Sequence, residues 1–525
     1  MKLLAYVSDE RFAAISGATI ELASDAAVHV LTSTPSGAVY GDVAPARYSV
    51  TIGAPGFGTK RTELTVGNGP PRQFRLLSER ILGYVWPKWS RAGDSAVLRV
   101  HSPEPYRLSL VRCGRETGPE TLLGWFDEHG PRATVQVLPD GDFTQTGVHW
   151  RDSGSIVAPD ETGLYYFLAE GESGAFFSFP WVVAPRTPTC DLAVLASTNT
   201  WSAYNNFGGR SNYVNASRLP DYPTVVAHQD LLRYREGTPA EHSFPDEDYL
   251  PISFERPEPL NQILRGEQPT HPIRGRQPCH LAAAEWRLYS WLERERFRYD
   301  LYAEAQLHDG TLELDRYRAL VIHTHPEYWS RHMYSAVKAW VFERGGRLVY
   351  LGGNGLECEV EFLNDSTLHF RTQDEDPGGP FDNRMHRSFE PTAAVLGVMF
   401  TNSGAMTAAP YRVVDESHWA FASTGLCRGD IFGAASLHER VPGGASGHET
   451  DKRTRSSPPG TRLLAKGTNV DDGGAEMIHF ETPNGGDVFS VGSITWPASI
   501  LVDNGVSRIT RNVLDHFLAA RPGVP

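Results

Sequence analysis

The stretch RALVIHTHPEYWSRHMYSAVKAWVFERGG, residues 318–346, passes from an unbroken apolar run into a polar turn and then into a helix-like segment closed by two glycines. A short apolar run without alternation suits a strand buried on both faces, and glycine just past a periodic segment is a helix stop. Working outward, DLAVLAST (191–198), RLVYLGGNG (347–355) and VFSVGSITW (488–496) read as further strands of the same kind. HLAAAEWRLYSWLERERF (280–297) reads as an amphipathic helix and RITRNVLDHFLAA (508–520) as a final helix. Strands alternating with helices predict an α/β domain over 187–525, with a parallel sheet covered on both faces.

Before residue 187 the pattern differs. ATIELAS, AVYGDVA, RYSVTIGAPGFG and RTELTV are short β-like runs separated by turn residues, which predicts a β-sandwich over 1–79. With its Pro-Gly-Phe turn, this segment resembles the carboxypeptidase regulatory-like fold. SAVLRVHS, YRLSLVRCG, GLYYFLAEG and FFSFPWVVAP predict a second sandwich over 80–186, ended by the proline-rich APRTPTC. Both are expected to pack beside and space the larger domain. The stretch 214–279 reads as a long excursion, and VPGGASGHETDKRTRSSPPG (441–460) as a mobile loop near the sheet edge.

The chain has 525 residues, 49 Lys and Arg against 63 Asp and Glu, and a net charge of −14. That balance disfavours nucleic acid or an anionic membrane as partner, because both repel an acidic surface. MKLLAYVSDERF meets charge before a signal-peptide core can form, and no apolar stretch reaches the ~20 residues of a membrane span. Five scattered cysteines without a CxxC argue against a disulfide framework and point to the cytoplasm.

Chemistry-bearing segments fall after three predicted strands: NTWSAYNNFGGRSNY (199–213), THPEYW (324–329) and GGNG (352–355). Such strand ends are where open α/β sheets place their sites. Side chains two apart on an extended chain share a face, so His323, His325 and Glu327 are candidates for one cluster. His-x-His at a strand end also begins zinc or nickel sites in barrel amidohydrolases, but the eightfold repeat of such a barrel is missing. The bland alternative has a histidine bonding the backbone and Glu327 capping the helix near Ser330. LGGNG (351–355) has the layout of a nucleophile elbow, yet Asn354 stands where serine or cysteine is needed. Asparagine cannot attack a carbonyl, so activated water is the expected nucleophile.

Read in order, WSAYNNFGGRSNY, ISFERP (252–257), HTHPEYWS, YLGGNG and GSITWPAS (492–499) resemble the large-subunit family of N,N-dimethylformamidase over roughly 187–520. The resemblance implies a glutaminase-like α/β domain and a mononuclear ferric ion held by two tyrosines and a glutamate. By motif these are Tyr204, Tyr213 and Glu327, with Tyr249 the alternative second tyrosine. Phenolate and carboxylate oxygens are what a hard trivalent ion prefers. The same match implies His325, Asn354 and Glu449 as catalytic groups, the last from GGASGHETDKR (443–453), with His323 structural.

The expectation is thus an iron-dependent amidohydrolase acting on a small-molecule amide. Homo-oligomers and a small partner subunit are left open. Two other readings remain: a metal-dependent hydrolase or lyase of another substrate, and a binding protein with a degenerate site. The family's aromatic pair after the elbow is replaced by Leu356-Glu357, expected at the rim of the crevice, and DNRMHR (382–387) replaces a richer Trp and Arg stretch. The first departure points to a substrate other than dimethylformamide, larger and carrying an amine or several hydrogen-bond donors.

Overall fold

The computed structural model describes residues 1–124, 133–225, 249–273, 279–371 and 384–519, the side chains of 384 and 386 excepted. Parts of the 214–279 excursion (226–248 and 274–278) and the start of DNRMHR lie outside the described residues. The protein is predominantly β-sheet, with several sheets and few helices.

Near the N-terminus a three-stranded sheet built on Lys2–Ser8 faces a four-stranded sheet built on Arg47–Ala54. Leu4, Val7, Ile20, Val50, Ile52 and Phe74 fill the space they share. Next, a three-stranded sheet around Ser95–His101 and a five-stranded sheet around Gly163–Gly171 enclose Leu98, Leu108, Phe167, Phe179 and Trp181.

The largest sheet has nine strands. We label them β1 (Leu192–Ala196), β2 (Asp300–Ala303), β3 (Ala319–Thr324), β4 (Arg347–Gly352), β5 (Tyr411–Val413), β6 (Ile431–Phe432), β7 (Arg462–Gly467), β8 (Glu476–Glu481) and β9 (Asp487–Ser490). The spatial order is β2-β1-β3-β4-β9-β8-β7-β5-β6. The first five run parallel and the remaining pairs antiparallel, so the sheet is mixed rather than wholly parallel. The antiparallel half comes from short strands whose turn-rich connections carry no helix-period signal.

Register explains the unbroken apolar runs. Val194, Val321, Val349 and Phe489 lie side by side and face one core. Their neighbours Leu195, Ile322 and Tyr350 face another. Helices α1 (Thr198–Tyr204), α2 (Ala282–Arg294) and α4 (Asn504–Leu518) supply the first core and α3 (Arg331–Arg344) the second.

Two expectations need correction here. Helix α2 is not amphipathic in its surroundings: every residue from Ala282 to Leu292 is buried. Its polar face meets the preceding sandwich, where Trp286 Nε1 donates to Gly114 O at 2.8 Å and Ser290 Oγ to Arg115 O at 2.8 Å. The 441–460 segment is likewise not a loose loop. Residues 444–448 are buried, Ala408 and Ala409 pair with Gly447 and Ser446, and Gly447 N donates to Ser493 Oγ at 2.8 Å. Its backbone is satisfied by tertiary partners that glycine-rich composition does not advertise. Among the described residues no helix is long and apolar enough to cross a membrane.

Candidate metal centre

Strand β3 ends at Thr324, whose φ of 60° is left-handed. That turn breaks the extended alternation expected for His323, His325 and Glu327. His323 stays in the core, its ring against Tyr289 and its Nε2 3.9 Å from Glu285 Oε2. His325 and Glu327 follow that turn and meet each other instead. Ser330, not Glu327, caps α3, its hydroxyl accepting from Met333 N at 3.2 Å. Among the described residues no three His, Cys, Asp or Glu side chains gather as a metal-holding group.

Glu327 is buried, and its oxygens meet a chain of phenols. Asn212 Nδ2 donates to the Tyr328 hydroxyl at 2.8 Å, which donates to the Tyr213 hydroxyl at 2.7 Å, which donates to Glu327 Oε2 at 2.7 Å. Burial raises the Tyr328 hydroxyl well above the ordinary phenol range, so it remains a donor. Tyr204 ends α1, and its ring lies 4.3 Å from that of Tyr213. The two are brought together because the chain after α1 doubles back: Asn212 N donates to Ala203 O at 2.9 Å. Arg210, fully buried, pins this loop by pairing with Asp142 at 2.8 Å and donating to the carbonyls of Ala216, Leu250 and Pro251. Tyr249 is also buried, and its carbonyl bonds His369 Nε2 at 2.9 Å.

His325 is fixed by its Nδ1, 3.1 Å from Gly353 O. Its Nε2 stands 2.9 Å from Glu327 Oε2, off the line of a hydrogen bond, and 3.8 Å from Glu449 Oε2. Burial pulls this imidazole down, but the Glu327 and Glu449 carboxylates and the Gly353 carbonyl outweigh it and hold it at about 9.

The elbow is present. Asn354 has φ of 49° and Leu356 of 55°, backbone that non-glycine residues adopt only when their surroundings enforce it. Enforcement comes from Asp451, whose Oδ1 accepts from Asn354 N at 2.8 Å and whose Oδ2 accepts from the Tyr350 hydroxyl at 2.7 Å. Burial raises the Asp451 carboxyl to about 6. Gly353 must be glycine, since a Cβ there would meet Glu449 O at 2.5 Å. Asn354 Nδ2 donates to Glu449 Oε2 at 2.8 Å, and among the described residues its buried Oδ1 has no hydrogen-bond partner. Leu356, expected at the rim, packs instead into the α3 core, and Glu357 is buried rather than solvated.

Tyr204, Tyr213, Glu327, His325, Asn354 and Glu449 therefore come together. Sequence reasoning missed Tyr328, Asp451 and His280. Tyr328 sat inside the quoted motif and Asp451 two residues from Glu449. His280 precedes α2, and its ring lies 4.7 Å from Tyr204 and 5.2 Å from His325. Burial holds it well below the ordinary imidazole range.

The residues suit a hard ion. The Tyr213 and Glu327 oxygens are separated as adjacent donors would be around an ion with metal–oxygen bonds of about 2 Å. Near them, among the described residues, Asn354 Oδ1 and both His280 ring nitrogens are buried without a hydrogen-bond partner. These side chains gather at the carboxyl ends of parallel strands, beside the point where the strand order reverses between β1 and β3, which is where open α/β sheets place their sites. The chain belongs to the N,N-dimethylformamidase beta subunit-like family, whose C-terminal model matches residues 112–507.

The N,N-dimethylformamidase beta subunit of Paracoccus aminophilus is 26% identical over 71% of this chain and 55% of its own length. That of an Alcaligenes species is 27% identical over 65% of this chain and 50% of its own. The chain spans about half the length of the curated relatives it matches. Among solved structures, a DUF3823 family protein from Bacteroides ovatus matches 34% of this chain and 98% of its own at 10% identity, with a TM-score of 0.14 that carries no argument.

Proposed function

We propose that this chain hydrolyses an amide C–N bond, with Tyr204, Tyr213 and Glu327 holding a mononuclear ferric ion. The carrying observation is the 2.7 Å contact between the Tyr213 hydroxyl and the buried Glu327 carboxylate, beside the Tyr204 ring. The family relatives, named as dimethylformamidase subunits, support the reaction class. The parallel strand order β2-β1-β3-β4-β9 supports a glutaminase-like α/β unit over 187–525, behind sandwich modules at 1–79 and 80–186.

When bound, a trivalent ion supplies Lewis acidity, polarising a carbonyl and acidifying water. The protein's own groups do the rest. Glu449, its side chain 22% exposed and steadied by Asn354, takes a proton from the reacting water. His325, oriented by Gly353 O and held protonated by the Glu327 and Glu449 carboxylates, gives its proton to the departing nitrogen. Water adds to the carbonyl carbon, the C–N bond breaks, and acid and amine leave. No acyl-enzyme is expected, because Asn354 occupies the elbow. The beta-subunit names of the relatives favour a small partner subunit. Five free cysteines favour the cytoplasm.

The test is metal analysis with a visible spectrum and an amide-hydrolysis assay on the purified protein. One iron per chain, a phenolate-to-iron absorption band and release of amine are expected. A colourless protein loaded with stoichiometric zinc would sink the ferric assignment.

A further inference from the structure

His280 is wholly buried, and among the described residues neither of its ring nitrogens has a hydrogen-bond partner. An imidazole offers at least one N–H donor, and when neutral one lone pair as well. Native proteins rarely leave both unmet; a buried orphan of this kind marks a catalytic group or the place of a bound molecule. The neighbours on three sides are rings meeting it edge-on: Tyr204 at 4.7 Å and 72°, His325 at 5.2 Å and 80°, His448 at 5.0 Å and 79°.

The behaviour of the adjacent histidines sharpens the contrast. His448 Nδ1 lies 3.2 Å from His438 Nε2, and that nitrogen lies 3.3 Å from Cys279 Sγ. His438 Nδ1 accepts from Val441 N at 3.1 Å. His438 is satisfied at both ring nitrogens and His448 at its Nδ1. His280, between them and the candidate centre, is not. The Asn354 Oδ1 orphan lies in the same site, and because its amide nitrogen is committed to Glu449, that oxygen is an acceptor awaiting a donor.

We propose that His280 contacts the substrate, and that together with Asn354 it selects amides that carry an N–H beside the carbonyl: primary and secondary amides rather than N,N-dialkyl ones. This rests on the amide-hydrolase reading above and narrows it. Such a substrate brings both an acceptor, its carbonyl oxygen, and a donor, its N–H. A fully alkylated amide brings no donor, and would leave a lone pair on Asn354 or His280 unmet, the kind of mismatch that discriminates most strongly in a water-poor site.

The experiment compares wild type, His280→Gln and His280→Phe, using acetamide, N-methylacetamide and N,N-dimethylacetamide as probes. Glutamine keeps a donor and an acceptor; phenylalanine keeps a ring against Tyr204 but offers neither. Iron content, the thermal midpoint of the substrate-free protein, and kcat and KM for each probe are measured. Wild type is expected to favour the N–H-bearing probes over the dimethyl one by at least tenfold in kcat/KM. His280→Phe should lose that preference mainly through KM, His280→Gln should retain most of it, and both should keep their iron. The substrate-free His280→Phe protein should melt no lower than wild type, since no internal hydrogen bond is lost.

A lower melting temperature for His280→Phe, with His280→Gln unchanged, would mean the ring has an internal partner and would overturn the inference. Turnover of all three probes with the preference unaltered in His280→Phe would overturn it while leaving amide hydrolysis standing. If wild type, loaded with iron, turns over none of these amides nor any other, the amide reading fails and the inference with it.

Discussion

Glu285 and Glu327 are both buried under the same strand ends, and each has one histidine of the 323–325 pair beside it. Around Glu285 every close donor is neutral: Ser197 N at 3.2 Å and Trp201 Nε1 at 2.8 Å on one oxygen, the Tyr289 hydroxyl at 2.9 Å on the other. Around Glu327 stand a phenol, an imidazole and, farther off, a second carboxylate, with unpartnered polar atoms nearby. The first arrangement is complete and ties α1 to α2. The second sets ionisable groups against one another at the strand ends. Burial alone does not separate a structural carboxylate from a working one; the identity of its partners does.

The sharpest way to break this comparison is to replace each carboxyl by the same amide. Glu327→Gln keeps the shape but removes the anionic donor, and is expected to lose bound iron and about 10³-fold or more in amide turnover, with the fold retained. Glu285→Gln should keep its iron and most of its activity. Metal analysis and circular dichroism on the pair decide it, and iron retained in Glu327→Gln would place the ligand elsewhere.

A second test separates the tyrosines. Tyr213→Phe is expected to lower iron affinity by about tenfold or more, because the hydroxyl on Glu327 disappears while the ring stays. If Tyr249→Phe loses iron and Tyr213→Phe does not, the second ligand is Tyr249, and Tyr213 only orients the carboxylate.

The smallest effect is a pH dependence of stability. Burial outweighs the hydrogen bonds from Trp201, Tyr289 and Ser197 and raises Glu285 to about 7 from the ordinary 4.5. The folded state therefore binds the proton more tightly than the unfolded one. Stability from this group is fully present below about pH 4.5 and is lost as pH rises through 7, up to about 3 kcal/mol in all. Denaturant midpoints between pH 5 and 8 should fall less steeply in Glu285→Gln than in wild type. Equal slopes would show that Glu285 is already ionised in the fold.

Much of this was legible in the chain, and for identifiable reasons. ALVIH, DLAVLAS and RLVYL announced strands buried on both faces because nothing polar interrupts them. GGNG announced an elbow because close approach to Glu449 O leaves no room for a Cβ at Gly353. The ordered motifs named the family, which the match over 112–507 bears out.

Other features had no local signal. The glycine-rich 441–460 segment looks mobile in sequence, yet its backbone is satisfied by Ala408, Ala409 and Ser493, residues far along the chain. His280 looks like an ordinary residue before a helix.

The sequence by itself determined which segments are strands, where polar residues leave them, and which oxygen and nitrogen donors are on hand, because periodicity and composition are local properties. Only the tertiary structure decided which of those donors meet. A left-handed Thr324 sends His323 to Glu285 and His325 to Glu327. Arg210 folds the loop after α1 so that Tyr213 reaches Glu327 across 114 residues. Partnership across such distances is fixed by packing and by the need to satisfy buried polar groups, and no window of sequence contains both halves of it.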